Sequence, residues 1–305
     1  MIIAIIVIAA VLVIIAAAGY LLSNFVLCGK RQTLEEARAW QENHYDFSFY
    51  DKLEKTDYTV TSYDGYVLNV EFLKNPNGGN KYMLITHGLT DNRFGMMKYA
   101  QIFLELGYNI IVYDVRGHGL NERALCTYSI RERKDLMAMI RDSRGRYPDM
   151  EELGLHGESL GAATTIAVLE EKPPVDFAIA DCGFAEILPV VKGLVKNMHM
   201  PAFLGDVASV WAKIRTGWWL QDMRPIDSLE ENEIPILFIH GETDMLIPPE
   251  HSERMKEATK GYAEVEVFPG AGHASCVFAD GERYEKNVKD FILQVESGRH
   301  SSTEN

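Results

Sequence analysis

Five residues, Gly157-Glu158-Ser159-Leu160-Gly161, restrict what this chain can fold into more than any other stretch. They follow the strand-length run Glu152 to His156 and precede a helix-length stretch of small residues, Ala162 to Leu169. A strand that passes into a helix through so short a connection must turn sharply. The backbone angles of such a turn are opposed by a Cβ, and glycines on both sides remove that opposition. The turn lifts the Ser159 hydroxyl clear of the sheet, and the next helix aims its free N–H groups and positive end at the space above it.

The rest of the chain extends the same alternation. Strand candidates are Tyr82 to Thr86, Asn109 to Tyr113, Val175 to Ala180, Pro235 to His240 and Glu264 to Phe268, with amphipathic stretches such as Met96 to Leu106 and Arg131 to Arg146 between them. Short buried strands alternating with helices predict a mostly parallel sheet covered on both faces. Before them, Asp57 to Tyr63 and Val67 to Leu73 flank Asp64-Gly65, a hairpin signal. The sum is an α/β fold with a mixed, mostly parallel sheet of about eight strands. One connection, residues 184–233, has no strand signal yet carries Met198, Met200, Phe203, Trp211, Trp218 and Trp219. It is too apolar to be disordered and too long for a plain loop. The reading is a helical cap whose Phe203, Trp218 and Trp219 touch substrate; the alternative is a helical pair packed at the edge of the core.

Residues Ile2 to Leu22 are charge-free and almost entirely Ile, Val, Leu and Ala. About 20 such residues cross a bilayer as a helix, and no polar face marks this one as a core helix. Ala16-Ala17-Ala18 also permits a cleaved signal peptide. The length of the run, and the lack of Lys or Arg before it, favour an uncleaved anchor. Lys30, Arg31 and Arg38 follow it, which by the positive-inside rule puts the remainder on the cytoplasmic face of the cell membrane. The expected organisation is an anchor over 1–23, a juxtamembrane segment over 24–56, an α/β domain over 57–297 and a polar tail over 298–305. Thr33 and Glu36 have the spacing of a capping box, so a short helix is expected in the juxtamembrane segment. The formal net charge of -14 disfavours nucleic acid and anionic lipid surfaces as partners, which leaves apolar membrane contact. Cys28, Cys126, Cys182 and Cys276 form no C-x-x-C pair, so neither a disulfide framework nor a zinc site is expected. No segment has a dinucleotide or P-loop pattern, and no cofactor or metal is expected.

A serine becomes nucleophilic beside a general base, and the base needs a carboxylate to fix its tautomer. Two later segments supply them. Asp244 stands in the loop after the strand ending at His240, and His273 lies in the glycine-rich loop Pro269-Gly270-Ala271-Gly272-His273 after the next strand. Ser159, Asp244 and His273 then fall in the chain order of a strand-turn-helix nucleophile. Asp181 also ends a strand and competes as the acid; His118 and His240 read as structural histidines. An oxyanion needs two converging backbone N–H donors. Leu160 follows the nucleophile, and Leu89 lies in His87-Gly88-Leu89-Thr90 after the strand Tyr82 to Thr86.

These segments, with Asp114-Val115-Arg116-Gly117-His118-Gly119 and Asp181-Cys182-Gly183-Phe184, together resemble the α/β-hydrolase superfamily. Within it they look most like bacterial membrane-anchored hydrolases of the esterase, lipase and acylaminoacyl-peptidase-like kind. The resemblance implies an acyl-enzyme mechanism without cofactor. The leading reading is a hydrolase of small-molecule carboxylic esters of short or medium acyl chain, and the apolar cap and membrane tether suit lipid-derived esters such as monoacylglycerols. An S9-like peptidase, a thioesterase or an acyltransferase would use the same residues. A non-catalytic, membrane-tethered interaction protein would be expected to have lost one of them.

Overall fold

Runs buried on both faces and runs buried on one alternate through the computed structural model, which describes residues 1–303, with side chains up to residue 298. Helices α1 (Ile2–Cys28), α2 (Leu34–His44) and α3 (Ser48–Lys52) come first, then the hairpin β1 (Lys55–Thr61) and β2 (Val67–Leu73). The alternating part is β3 (Lys81–Thr86), α4 (Met97–Glu105), β4 (Asn109–Tyr113), α5 (Glu132–Arg146), β5 (Glu152–Glu158), α6 (Leu160–Ala167) and β6 (Phe177–Asp181). Helices α7 (Ile187–Asn197) and α8 (Phe203–Thr216) fill the long connection. Then come β7 (Ile236–Gly241), α9 (Glu250–Ala258), β8 (Ala263–Phe268), α10 (Cys276–Ala279) and α11 (Gly281–Thr303).

The eight strands form one sheet in the order β1-β2-β4-β3-β5-β6-β7-β8. β1 with β2 and β2 with β4 are antiparallel, and the other pairs are parallel. Every residue of β4, β5, β6 and β7 is buried, as strands covered on both faces require, which is why β4, β6 and β7 read as nearly continuous apolar runs. Alternate residues feed two cores. Leu84 and Ile111 pack with α5, α6 and the cap helices, whereas Met83, Ile85 and Ile110 pack with α4 and α11. The chain is thus an α/β-hydrolase fold with a helical cap between β6 and β7.

Two boundaries differ from the sequence expectation. The first helix does not stop at residue 23 but runs to Cys28, ending at Gly29 with φ 50°. Ser23 and Asn24, which look like an exit into water, instead receive hydrogen bonds from Arg215 of α8. At the other end, residues 298–303 continue α11 rather than forming a tail, and 304 and 305 lie outside the described residues. The capping box of Thr33 and Glu36 is present at the start of α2.

Candidate active site

Ser159 joins β5 to α6 with φ 55° and ψ -112°, a conformation that costs a non-glycine residue about 1–3 kcal/mol. The surroundings enforce it. A Cβ on Gly157 would lie 2.3 Å from the Gly161 backbone, and one on Gly161 would lie 2.0 Å from Thr86 O. The two glycines therefore let the turn fold back on itself and let α6 press on β3. The Ser159 amide bonds Asp181 O at 2.8 Å, tying the turn to the end of β6.

The loops after β7 and β8 are laced together. Thr243 donates its amide to Ala271 O at 2.9 Å, and the Glu242 amide reaches Phe268 O at 3.0 Å. That lacing brings His273 Nε2 to 2.9 Å from Ser159 Oγ and His273 Nδ1 to 2.6 Å from Asp244 Oδ2. The other Asp244 oxygen accepts the amides of Leu246 and Ile247, each at 2.9 Å. Burial by itself would raise the Asp244 carboxyl. Hydrogen bonding from His240 and His273 and the Ile247 amide outweighs it and holds the group well below the usual carboxylate range. Asp244 is thus an ion throughout the neutral range, placed to accept from Nδ1 of His273, whose Nε2 faces the Ser159 hydroxyl.

The side chains of the competitors have other partners that hold them in place. Asp181 is wholly buried and meets Tyr99 OH at 3.0 Å. His240 is held between the Ser252 hydroxyl and Ile247 O, each at 2.7 Å. His118 donates to Arg116 O, and burial pushes its imidazole well below its ordinary value. Burial likewise brings His87 down to about 4, so its neutral ring accepts the Val115 amide at 2.8 Å and shapes the loop that carries Leu89. Asp114-Val115-Arg116-Gly117-His118-Gly119 is a scaffold. Asp114 pairs with Arg93, and the buried Arg116 pairs with Asp64 and Asp135.

Above Ser159 lies a cavity of about 360 Å³, lined by Ser159, His273, Leu160, Leu89 and Thr90 on the sheet side. Leu160 opens α6, where N–H groups have no partner within the helix. Gly88 lets the neighbouring loop approach, since a Cβ there would be 3.4 Å from that of Ser159. The roof is α7, with Ile187, Val190, Val191 and Leu194. Phe203, Trp218 and Trp219, expected here, are not among the lining residues. Phe203 is exposed at the start of α8, Trp218 stacks under the Arg131 guanidinium, and Trp219 caps a short 3-10 turn. Side-chain size pointed to these aromatics, whereas the spacing 187, 190, 191, 194, one apolar stripe of a helix, marks the true lining. Cys182 and Cys276 are fully buried and are not among the residues lining this cavity. Cys182 Sγ sits with the Asp244 and His273 ligating atoms within 4.8 Å of one another, behind a pair already hydrogen-bonded to each other.

Behind the turn is a polar network that sequence reading missed. Glu158, the variable residue before the serine, meets Lys98 Nζ at 2.6 Å and receives Tyr99 OH at 2.6 Å, all three buried. Asp91 and Asp181 nearby are each raised to about 6 by burial and then by the Glu158 charge.

A model of the prolyl oligopeptidase family (Peptidase_S9) matches residues 94–297, two thirds of the chain and all of the Ser159, Asp244 and His273 segments. The uncharacterized protein YqkD of Bacillus subtilis is 29% identical over 93% of this chain and 95% of its own length. An uncharacterized membrane protein of Saccharomyces cerevisiae is 20% identical over 80% of each chain. Among solved structures, the Pyrococcus furiosus esterase Pf2001 superposes with a TM-score of 0.68 at 22% identity, covering 82% of this chain and 95% of that one.

Proposed function

Because the chain belongs to the prolyl oligopeptidase family, we propose that it is a serine hydrolase that cleaves carboxylic esters of short or medium acyl chain, or lipid-derived esters, through an acyl-enzyme. The unbroken series of hydrogen bonds Ser159–His273–Asp244, opening on an apolar cavity, is the observation that carries this reading. Ser159 Oγ attacks the ester carbonyl while His273 Nε2 takes its proton. The negative oxygen of the tetrahedral adduct is held by the Leu89 and Leu160 amides. The adduct collapses, His273 returns the proton to the departing alcohol, and the acyl group stays on Ser159. Water, deprotonated by the same imidazole, then frees the acid. Asp244 remains ionised and steadies the imidazolium. A single-pass anchor in the cell membrane, with the catalytic domain on the cytoplasmic side, accompanies this reading, since Lys30, Arg31 and Arg38 follow α1.

The family match supports a second reading, cleavage of peptide or other amide bonds by the same residues. One experiment separates the two. The full chain in detergent is assayed on p-nitrophenyl esters from acetate to palmitate and on p-nitroanilides, beside Ser159→Ala. Ester turnover that falls by about 10⁴-fold or more in Ser159→Ala is the expected result. Turnover of anilides alone would replace the ester reading. A wild-type protein that neither turns over nor is labelled at Ser159 by a fluorophosphonate would overturn both.

A further inference from the structure

The cavity has a third wall, and it belongs to the anchor. Phe25, Val26, Gly29 and Lys30, from the last turn of α1 and the residues after it, line the same space as Ser159 and His273. Val26 and Leu27 are buried in the same core as Leu160. A helix end leaves its last carbonyls without intrahelical partners. Here the domain supplies them: Tyr128 OH donates to Val26 O at 2.6 Å and the Cys126 amide to Leu27 O at 2.9 Å. Past the helix, Arg31 donates to Gly117 O and Ala124 O, and the Gln32 amide reaches Thr90 O at 2.8 Å, in the loop of Leu89. Higher up, Gly19 lies against Val207 of α8, and Trp211 Nε1 donates to Ala16 O at 2.9 Å. The anchor is clamped to both the cap and the catalytic loops rather than joined through a flexible leash.

That clamp fixes how far the cavity stands from lipid. Residues 1–14 are all exposed. From Ile2 to Ile14 a helix rises only about 20 Å, short of the roughly 30 Å of a hydrocarbon core, whereas reaching Leu22 completes it. The hydrocarbon boundary then falls about one helical turn, some 5 Å, from Phe25 and Val26. Phe203, Val210 and Ile214 are exposed on α8 beside the docked part of the anchor, interleaved with the exposed charges of Asp206 and Lys213. The cavity is at the small end of ligand pockets, room for one acyl chain rather than two.

We propose that the last turn of the anchor helix is a specificity wall of the acyl pocket, and that the site takes single-chain acyl esters directly from the bilayer the anchor spans. This rests on the ester-hydrolase reading above. The full chain is reconstituted in phosphatidylcholine vesicles and assayed as wild type and as Val26→Phe, which fills the pocket from the anchor side. The decanoate-to-acetate ratio of kcat/KM for p-nitrophenyl esters is expected to fall by at least about tenfold in Val26→Phe. An unchanged ratio, with fluorophosphonate labelling of Ser159 retained, overturns the wall. Where Val26→Phe does not fold, Val26→Ala carries the test: the larger pocket raises the laurate-to-decanoate ratio, and an unaltered ratio overturns the wall. For entry from the bilayer, monopalmitoylglycerol is diluted tenfold with phosphatidylcholine at fixed bulk concentration. A rate that falls about in step is expected, and a rate that follows bulk concentration overturns it. Absence of any ester turnover and of Ser159 labelling in the wild type instead sinks the underlying hydrolase reading.

Discussion

The floor and the roof of the cavity are built on different principles. The floor is backbone: Ser159 is held at φ 55° by neighbours so close that Gly157 and Gly161 have no room for a Cβ. The roof is side chains: aliphatic residues of α7 and of the last turn of α1, drawn from segments some 160 residues apart in sequence. Floors of this kind tolerate almost no change, because backbone atoms cannot move aside. Roofs of this kind tolerate much, since one aliphatic group replaces another at modest cost. On the proposed function, chemistry thus falls to the rigid half and substrate choice to the adaptable half.

The sharpest test of that contrast is Gly161→Ala. Its methyl would sit 2.0 Å from Thr86 O, backbone of a central strand, and nothing there is a flexible side-chain end. The expected loss is at least about 3 kcal/mol of unfolding free energy, with fluorophosphonate labelling of Ser159 abolished. A variant with wild-type melting temperature and labelling would show that the floor yields as readily as the roof.

A second test concerns the polar support of the floor. Tyr99 OH faces both Glu158 Oε2 and Asp181 Oδ2 and has one proton to give. Burial and the Glu158 charge raise Asp181 to about 6, so up to that pH it is the protonated partner that donates to Tyr99 while Tyr99 donates to Glu158. A carboxyl whose folded pKa lies above its unfolded value of 3.8 contributes stability below that value and loses it as pH rises through 6. Asp181→Asn keeps the donor and cannot ionise. Melting curves between pH 4.5 and 7.5 should therefore fall less steeply in the variant, with a gain on the order of 2 kcal/mol at pH 7.5. Part of the slope should survive, because Asp91 is raised in the same way. An identical slope in both proteins would mean that Asp181 is not the group that titrates.

The same contrast decides what the sequence discloses. The meeting of Ser159, Asp244 and His273 could be expected because each lies in the connection after a strand, with Gly157, Gly161, Gly241 or Gly272 close by in sequence, and such positions leave marks that do not depend on tertiary contacts. β4, β6 and β7 are legible because burial on both faces makes them nearly continuous apolar runs, and β1 and β2 because they flank the Asp64-Gly65 turn. The cap could be inferred from a long apolar connection, but its lining could not be picked by residue size: Trp218 and Trp219 serve packing and a turn, and Val190 and Val191 face the serine. The end of α1 was hidden for a related reason. Ser23 and Asn24 look like the return to water, and only the distant Arg215 explains why the helix goes on. Contacts between segments far apart in sequence leave no local pattern, and the roof is made of little else.

The smallest expected effect probes the seam between α1 and the cap. A Cβ on Gly19 would lie 2.3 Å from Val207 Cγ1, and Val207 is a short, stiff side chain on a helix. In Gly19→Val the two helices must separate, with roughly 1 kcal/mol of packing displaced. None of Ser159, Asp244 or His273 hydrogen-bonds to α1, so labelling by a small methyl-chain fluorophosphonate should keep its rate. Labelling by a decyl-chain fluorophosphonate should slow roughly fivefold, as expected for about 1 kcal/mol lost along the acyl path alone. If both probes slow together, the anchor supports the catalytic floor as well as the roof, and the division between the two halves of the cavity fails. If neither slows, the helices part without moving Phe25 and Val26, and the hold of Tyr128 and Cys126 on the last turn is sufficient by itself.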